Sequence, residues 1–101
     1  MNKGDFLLEK VSNMSKWIDS HLDLGLADRA GELKPLQATV LAASVGGKVE
    51  LAAKRDWDAL IEVIADNAPV LLEATLMVRG RPEMHDKFWR YIDLFVDITQ
   101  Q

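Results

Sequence analysis

The sequence of 101 residues contains no cysteine. Disulfide bonds, thiolate nucleophiles and thiolate metal ligands are therefore excluded, and so is a small secreted scaffold held together by disulfides. The start of the chain also lacks the uninterrupted apolar run of a signal peptide, because Asp5 and Glu9 lie within it. These absences predict a protein of a reducing compartment, the cytoplasm.

No apolar run in the sequence is long enough to cross a bilayer. The longest weakly polar run, 35–47, has 13 residues and is interrupted by Gln37, Thr39 and Ser44. A membrane-spanning helix needs about 20 predominantly apolar residues. We therefore expect no association with a membrane, and we interpret this run as a core or interface helix.

Motifs of enzymatic chemistry are scarce. No glycine pattern matches a phosphate-binding loop, and no spacing singles out a serine or threonine as a nucleophile. His21 and His85 are the only histidines, whereas catalytic metal sites usually need three converging protein ligands. The sequence predicts a non-enzyme with no catalytic residue, no cofactor and no metal site, and structural roles for both histidines. The weakest alternative is an enzyme that uses His85 with Glu83 or Asp86.

Helical periodicity is present along most of the chain. Apolar residues three and four positions apart predict a helix over about 5–24 and another from Pro82 to the end of the chain. The two stripes are Leu7, Val11, Met14, Ile18 and Leu22 in the first helix, and Met84, Phe88, Tyr91, Phe95 and Ile98 in the last. A second stripe beside the latter contains Trp89, Ile92 and Val96.

No segment shows a convincing series of alternating strands. The sequence therefore predicts an all-α fold, a compact bundle of four to six short helices in a single domain, 1–101. The size scaling of folded proteins predicts a surface of roughly 5,700 Å².

Local signals place most of the helix boundaries. Gly25 suits the end of the first helix, Pro35 and Pro69 fit the first turns of two others, and Asp56 is a candidate N-cap. We expect a loop with a short helix at 26–34. For 48–55 we favour a helix over a short extended piece.

Two predicted helices have almost no charge. The segment 35–47 has no ionisable residue, and 68–78 has only Glu73. A helix that is apolar all round must be buried on more than one face, and a small domain has room for roughly one. Because 68–78 has the bulkier residues, we expect it at the centre of the core and expect 35–47 to mediate self-association. On this interpretation, Ala42→Glu dissociates the oligomer without unfolding the chain.

The candidate protein interface combines the helix 35–47 with the acidic start of the helix that Asp56 is expected to cap. Its predicted members are Leu36, Val40, Ala42, Ala43, Asp56, Trp57, Asp58 and Glu62. Tryptophan is enriched among residues that dominate binding energy, although Trp57 more simply packs under its own helix. The carboxylates offer a complementary rim to a basic protein partner.

Charge is unevenly distributed in the middle of the chain. Residues 34–55 contain four bases and one acid, whereas 56–78 contain five acids and no base. These two segments can face each other within one helical hairpin, or they can meet head to tail in a second copy.

A basic cluster supports a different interpretation. The tetrapeptide Arg79-Gly80-Arg81-Pro82 resembles the core of the AT-hook, whose arginines lie in a narrow minor groove. Lys87 and Arg90 follow it. The net charge of −4 weakens any general affinity for nucleic acid, and the tetrapeptide is explained more simply by the end of one helix and the start of the next.

The leading functional hypothesis is therefore a small acidic helical protein-interaction module. It would act by surface occupation as an adaptor, inhibitor or regulatory subunit, and it would form a homodimer. The alternative is a nucleic-acid-associated regulator that uses the basic cluster.

Overall fold

The computed structural model describes residues 3–22, 24–66 and 68–100, with side chains at 4–22, 24–29, 33–66 and 68–97. Within these residues the chain forms six α-helices and two 3₁₀ helices, and no strand. The α-helices are α1 at Lys3–Leu22, α2 at Pro35–Gly46, α3 at Glu50–Lys54, α4 at Trp57–Ile64, α5 at Pro69–Arg79 and α6 at His85–Gln100. The 3₁₀ helices are Leu26–Glu32 and Pro82–Met84. The predicted all-α bundle is confirmed.

Most predicted boundaries are confirmed by the backbone. Gly25 has a φ of +69°, the left-handed conformation in which glycine is favoured. Pro35 and Pro69 each begin an α-helix, and the Asp56 carboxylate accepts a hydrogen bond from the Ala59 N–H at 3.1 Å. One boundary is wrong, since Pro82 opens a 3₁₀ turn and α6 begins only at His85.

The segment 48–55 is helical over α3, as favoured from the sequence. Its last turn ends at Arg55, whose φ of 51° is in the left-handed region. The N–H of Asp56 then donates to the carbonyl oxygen of Leu51 at 2.8 Å, which closes the turn between α3 and α4. The chain can therefore reverse here without a glycine, at a cost in backbone strain.

The core contains buried residues of all six α-helices, with the most extensive helix contacts between α2 and its neighbours α1 and α6. Both predicted stripes of α6 turn inward, with Phe88, Trp89, Ile92 and Phe95 at most 2% exposed. The side chain of Ile98 lies outside the described residues. The total surface of 5501 Å² is close to the value expected for this length.

The prediction that 68–78 lies in the core holds, since five of the eleven residues of α5 are buried, but α2 makes the more extensive contacts with other helices. Helix α2 packs against α1, α6 and α4. Its buried residues are Ala38, Leu41, Ala42 and Val45. Because two of them are alanines, neighbouring helices can approach α2 closely, whereas the bulkier α5 packs mainly against α4 and the 3₁₀ helix Leu26–Glu32 and less extensively against α1 and α6.

A close contact joins the start of α1 to the start of α2. Gly4 is buried there, and a Cβ atom at this position would lie 2.5 Å from the carbonyl oxygen of Pro35. Atoms cannot approach so closely, and the obstacle is backbone that has little freedom to move. A residue without a side chain is therefore needed for α1 and α2 to pack as they do.

Asp19 fixes the 3₁₀ helix Leu26–Glu32 to the end of α1. Its carboxylate accepts hydrogen bonds from the N–H groups of Leu26 at 2.9 Å and Ala27 at 2.7 Å. Burial acts to raise the pKa of Asp19, but backbone N–H groups of residues 24–27 outweigh it and leave this pKa below its usual value. Asp19 therefore caps the 3₁₀ helix that follows α1.

None of the described helices combines the length and apolarity needed to cross a membrane.

Candidate functional site

The outward side of α2 is apolar although it faces solvent. Leu36 is 76% exposed and Val40 is 47% exposed. Ala43 is exposed on the same side, and Gly47 is exposed just past the end of the helix. At about 100° per residue these four positions fall within an arc of about 60°, opposite the buried residues of α2. We call Leu36, Val40, Ala43 and Gly47 the outer stripe.

The polar side chains of α2 add little to this surface. The Thr39 hydroxyl donates to the Pro35 carbonyl oxygen at 3.1 Å, and the Ser44 hydroxyl donates to that of Val40 at 3.0 Å. The Gln37 side-chain oxygen accepts from the N–H of Lys34 at 3.0 Å. Because these groups bond to their own backbone and α2 has no ionisable residue, the stripe presents mainly hydrocarbon.

Three of the four α2 residues in the predicted interface lie together on the outer stripe. The fourth, Ala42, is 4% exposed and belongs to the buried face, so its assignment to the surface is wrong. Adjacent helical positions point about 100° apart, and Ala42 thus faces the core while Ala43 faces solvent. We therefore expect Ala42→Glu to destabilise the fold itself, and not to dissociate an oligomer of folded chains.

Two residues of this surface were missed from the sequence. Gly47 continues the spacing of four, three and four residues that begins at Leu36, and this periodicity was a sufficient signal for it. Val49 is 45% exposed in the turn that follows. No sequence signal identified Val49, since its exposure depends on how the turn leaves α2.

Trp57 packs inside its own molecule. Its ring stacks on Phe88 with centroids 5.6 Å apart, and it contacts the rings of Trp89 at 4.9 Å and His85 at 4.8 Å. Trp57 is half-buried and joins the start of α4 to the start of α6. Its main role here is to connect two helices, and contact with a partner through its exposed edge stays a prediction.

The predicted acidic rim is partly neutralised. Asp56 caps α4, and Asp58 pairs with Arg79 at 3.0 Å. Glu62 and Asp66 are exposed on or just after α4. Asp58 and Arg79 were assigned to two different candidate surfaces, and the fold brings them together.

Other ion pairs also differ from the hairpin and head-to-tail arrangements. Arg55, in the basic segment 34–55, pairs with Asp86 of α6 at 2.8 Å. Glu73, in the acidic segment 56–78, pairs with Arg29. In each of these ion pairs one partner lies outside the two segments. Part of the uneven charge is therefore neutralised by residues that precede or follow the segments in the sequence.

The basic cluster is engaged at three of its four positions. Arg79 pairs with Asp58, Arg90 pairs with Asp86 at 2.9 Å, and the Lys87 ammonium lies 4.4 Å from the centroid of the Trp17 ring. Arg81 is exposed. Binding of nucleic acid by these residues stays a prediction, and it would require the ion pairs to open.

Asp86 joins this cluster to α3. The hydrogen bond from Arg55, with the nearby charge of Arg90, holds the pKa of Asp86 below its usual value. Its carboxylate is thus committed to two guanidinium groups, and this favours a structural role over the proton transfer considered for it with His85.

The two histidines have local partners. Nε2 of His85 lies 3.0 Å from the carbonyl oxygen of Arg79, and the ring contacts Trp57. Nδ1 of His21 lies 2.8 Å from the carbonyl oxygen of Trp17. No group of three or more histidine, aspartate or glutamate side chains able to hold a metal ion occurs among the described residues.

Two open grooves lie on the part of the surface that the structure describes. One groove is lined by Lys87, Arg90, Tyr91 and Leu94, and includes the lysine whose ammonium lies over the Trp17 ring. Burial raises the pKa of the Tyr91 phenol. The other is lined by Leu22, Leu24, Met77 and Arg81. Neither set of lining residues combines a nucleophile with a general base.

Comparisons with protein-family models, with curated proteins and with solved structures gave no match.

Proposed function

We propose that this protein is a protein-interaction module that acts by occupying a surface, as an adaptor, an inhibitor or a regulatory subunit. The outer stripe of α2 is its contact surface, and a second copy of the chain is its first partner. The observation that carries the proposal is the 76% exposure of Leu36 on a helix without any ionisable residue.

Single exposed apolar residues are ordinary on protein surfaces and need no explanation. Leu76 of α5, 51% exposed, is such a residue. Leu36 differs because Val40, Ala43 and Gly47 align with it and no charge interrupts the row. Burial of a leucine side chain is worth about 1.5–3 kcal/mol, so covering this row gives a partner a real gain.

A second, basic partner is supported by fewer groups than the sequence suggested. Asp56 and Asp58 are engaged within the chain, whereas Glu62 and Asp66 remain exposed. These two carboxylates form the acidic rim of the proposal. The cytoplasm is the proposed location, because a chain without cysteine needs no oxidising compartment.

The test compares two leucine substitutions. Leu36→Glu and Leu76→Glu place the same charge at exposed leucines of two helices, and Leu76→Glu is the matched control. Light scattering and sedimentation equilibrium should show a concentration-dependent dimer for the wild-type chain and for Leu76→Glu, but a monomer for Leu36→Glu. Circular dichroism should show that all three remain folded.

Two results would count against the proposal. A wild-type chain that stays monomeric up to about 1 mM, where association is worth only about 4 kcal/mol, excludes the homodimer. A dimer that Leu36→Glu leaves intact moves the contact surface away from α2.

A further inference from the structure

The outer stripe has a direction along α2. Its large residues, Leu36 and Val40, lie toward the start of the helix, and its small residues, Ala43 and Gly47, lie toward the end. Four residues separate the members of each pair. The stripe is therefore a ridge followed by a shallow depression of the same length.

We infer that two copies of this chain pair through α2 in antiparallel orientation, related by a two-fold axis that passes between Val40 and Ala43. Leu36 of each copy then packs over Gly47 of the other, and Val40 packs over Ala43. This inference rests on the proposed function and specifies its geometry. Such an interface is isologous, because each contact occurs twice.

A parallel pair would fit poorly. Leu36 would meet Leu36 of the other copy at one end, and Gly47 would meet Gly47 at the other, so that the helices would be forced apart at one end and leave a gap at the other. In the antiparallel pair each ridge fills a depression along the whole stripe. Interdigitation of large and small side chains is what close-packed helix interfaces require.

The charges near the ends of α2 favour the same orientation. Lys34 precedes the helix and Glu50 follows it, and both are exposed. Antiparallel pairing places Lys34 of each copy opposite Val49 of the other, between Lys48 and Glu50, whose charges cancel. Parallel pairing would instead place the two Lys34 side chains together. The helix dipoles also oppose each other favourably when antiparallel.

The available area limits the strength of the pair. A standard interface of about 800 Å² per partner would take about 15% of the 5501 Å² surface. A helix of 12 residues is only about 18 Å long, so the outer stripe with Val49 covers less than that. The dimer therefore belongs to the small and reversible class.

Because the chain has no cysteine, single substitutions introduce a unique thiol for cross-linking. In the antiparallel pair the two copies of residue 40, or of residue 43, are offset by about 4.5 Å along the helix direction, and the two copies of residue 36 by about 16 Å. With helix axes about 8–10 Å apart, the corresponding Cα–Cα distances are about 6–7 Å and about 17 Å. Disulfides need Cα atoms about 4.4–6.8 Å apart.

The expected result is that Val40→Cys and Ala43→Cys each form a disulfide-linked dimer under mild oxidation, at least about ten times faster than Leu36→Cys, whose thiols lie too far apart. A mixture of Leu36→Cys with Gly47→Cys should give the mixed dimer. Leu76→Cys is the control for random collision between exposed thiols.

The outcomes separate the two proposals. Efficient self-linkage of Leu36→Cys in a chain that dimerises shows a parallel pair and overturns the antiparallel geometry, but it leaves α2 as the contact surface. A wild-type dimer in which no α2 thiol links faster than Leu76→Cys overturns both. A wild-type monomer at all concentrations overturns the homodimer itself, whatever the thiols do.

Discussion

Two neighbouring alanines of α2 provide a direct test of which side of this helix is buried. Ala42 is 4% exposed, whereas Ala43 is exposed to solvent. Substitution of either by glutamate has the same small intrinsic cost in a helix, a few tenths of a kcal/mol. The difference between Ala42→Glu and Ala43→Glu therefore reports the environment of the side chain alone.

The expected loss of stability in the Ala42→Glu variant follows from the burial of Ala42. A carboxyl group in the core must be neutral, and holding a glutamate neutral at pH 7 costs about 3.7 kcal/mol. The larger side chain adds about 1–3 kcal/mol of overpacking. The sum of about 5–7 kcal/mol is comparable to the whole stability of a domain this size, about 5–15 kcal/mol. Ala43→Glu should change the free energy of unfolding of the monomer by no more than about 0.5 kcal/mol.

Urea denaturation followed by circular dichroism, at a concentration where the wild-type chain is monomeric, measures both variants. Ala43→Glu should keep the wild-type midpoint, and Ala42→Glu should be largely unfolded without denaturant. Because burial raises the pKa of the introduced carboxyl, the deficit of Ala42→Glu is full above that folded-state pKa and shrinks as the pH falls toward the pKa of the unfolded chain. Equal stability of the two variants at pH 7 would refute the orientation of α2.

Three further substitutions test separate contacts. Gly4→Ala should lower the free energy of unfolding by about 1–3 kcal/mol, although alanine ordinarily stabilises a helix, because its Cβ atom would collide with the Pro35 carbonyl group. Asp19→Asn should lower stability by about 1 kcal/mol near pH 7, because the N–H groups of Leu26 and Ala27 bond more strongly to a charged carboxylate than to a neutral amide, and by less at low pH. The reason is that a carboxylate with a lowered pKa stabilises the fold above its unfolded pKa and loses this effect as the pH falls through its folded pKa. Trp57→Ala should cost about 2–4 kcal/mol through lost contact with α6. Chemical denaturation measures all three, with Asp19→Asn followed from pH 7 down to pH 3.

Each of these expectations has a contrary result. A stabilised Gly4→Ala variant would show that α1 and α2 are not in close contact at Pro35. A deficit of Asp19→Asn that persists unchanged at pH 3 would show that the carboxylate charge is not what holds the 3₁₀ helix. Trp57→Ala with wild-type stability would mean that α4 is not joined to α6 through this ring.

Helix boundaries were predictable because their signals are local. Pro35, Pro69 and Asp56 each specify a helix start through their own backbone or side chain. The stripes of α6 were predictable for a related reason, since its charged residues identify the outward side. Pro82 was misplaced because proline suits the first turn of a 3₁₀ helix as well as that of an α-helix.

The orientation of α2 was not predictable by this route. With no charged residue, the helix has no marker for its solvent side, so Ala42 and Ala43 are equivalent in the sequence. Its extensive contacts with α1 and α6 arise because Ala38 and Ala42 let these helices approach closely, and that property depends on α1 and α6 as much as on α2. The bulk of the α5 residues predicted their burial but not these contacts of α2.

The pairing of charges was equally hidden. Asp58 and Arg79 are 21 residues apart, and Arg55 and Asp86 are 31 apart. No helical or strand periodicity relates such positions, so each charge was assigned to a surface according to its own neighbours in the sequence. Only the fold shows which opposite charges meet, because one pair joins α4 to the end of α5 and the other joins the end of α3 to α6.

The aromatic cluster at the junction of α4 and α6 gives this protein an intrinsic spectroscopic signal for the contact between these two helices. The indole rings of Trp57 and Trp89 are 4.9 Å apart at 60° to each other, close enough for their excited states to couple. Trp89 is 2% exposed and its Nε1 has no hydrogen-bond partner among the described residues, so its emission should lie toward the blue. Loss of the exciton signal while the helices persist would report the separation of α4 from α6 without any attached dye.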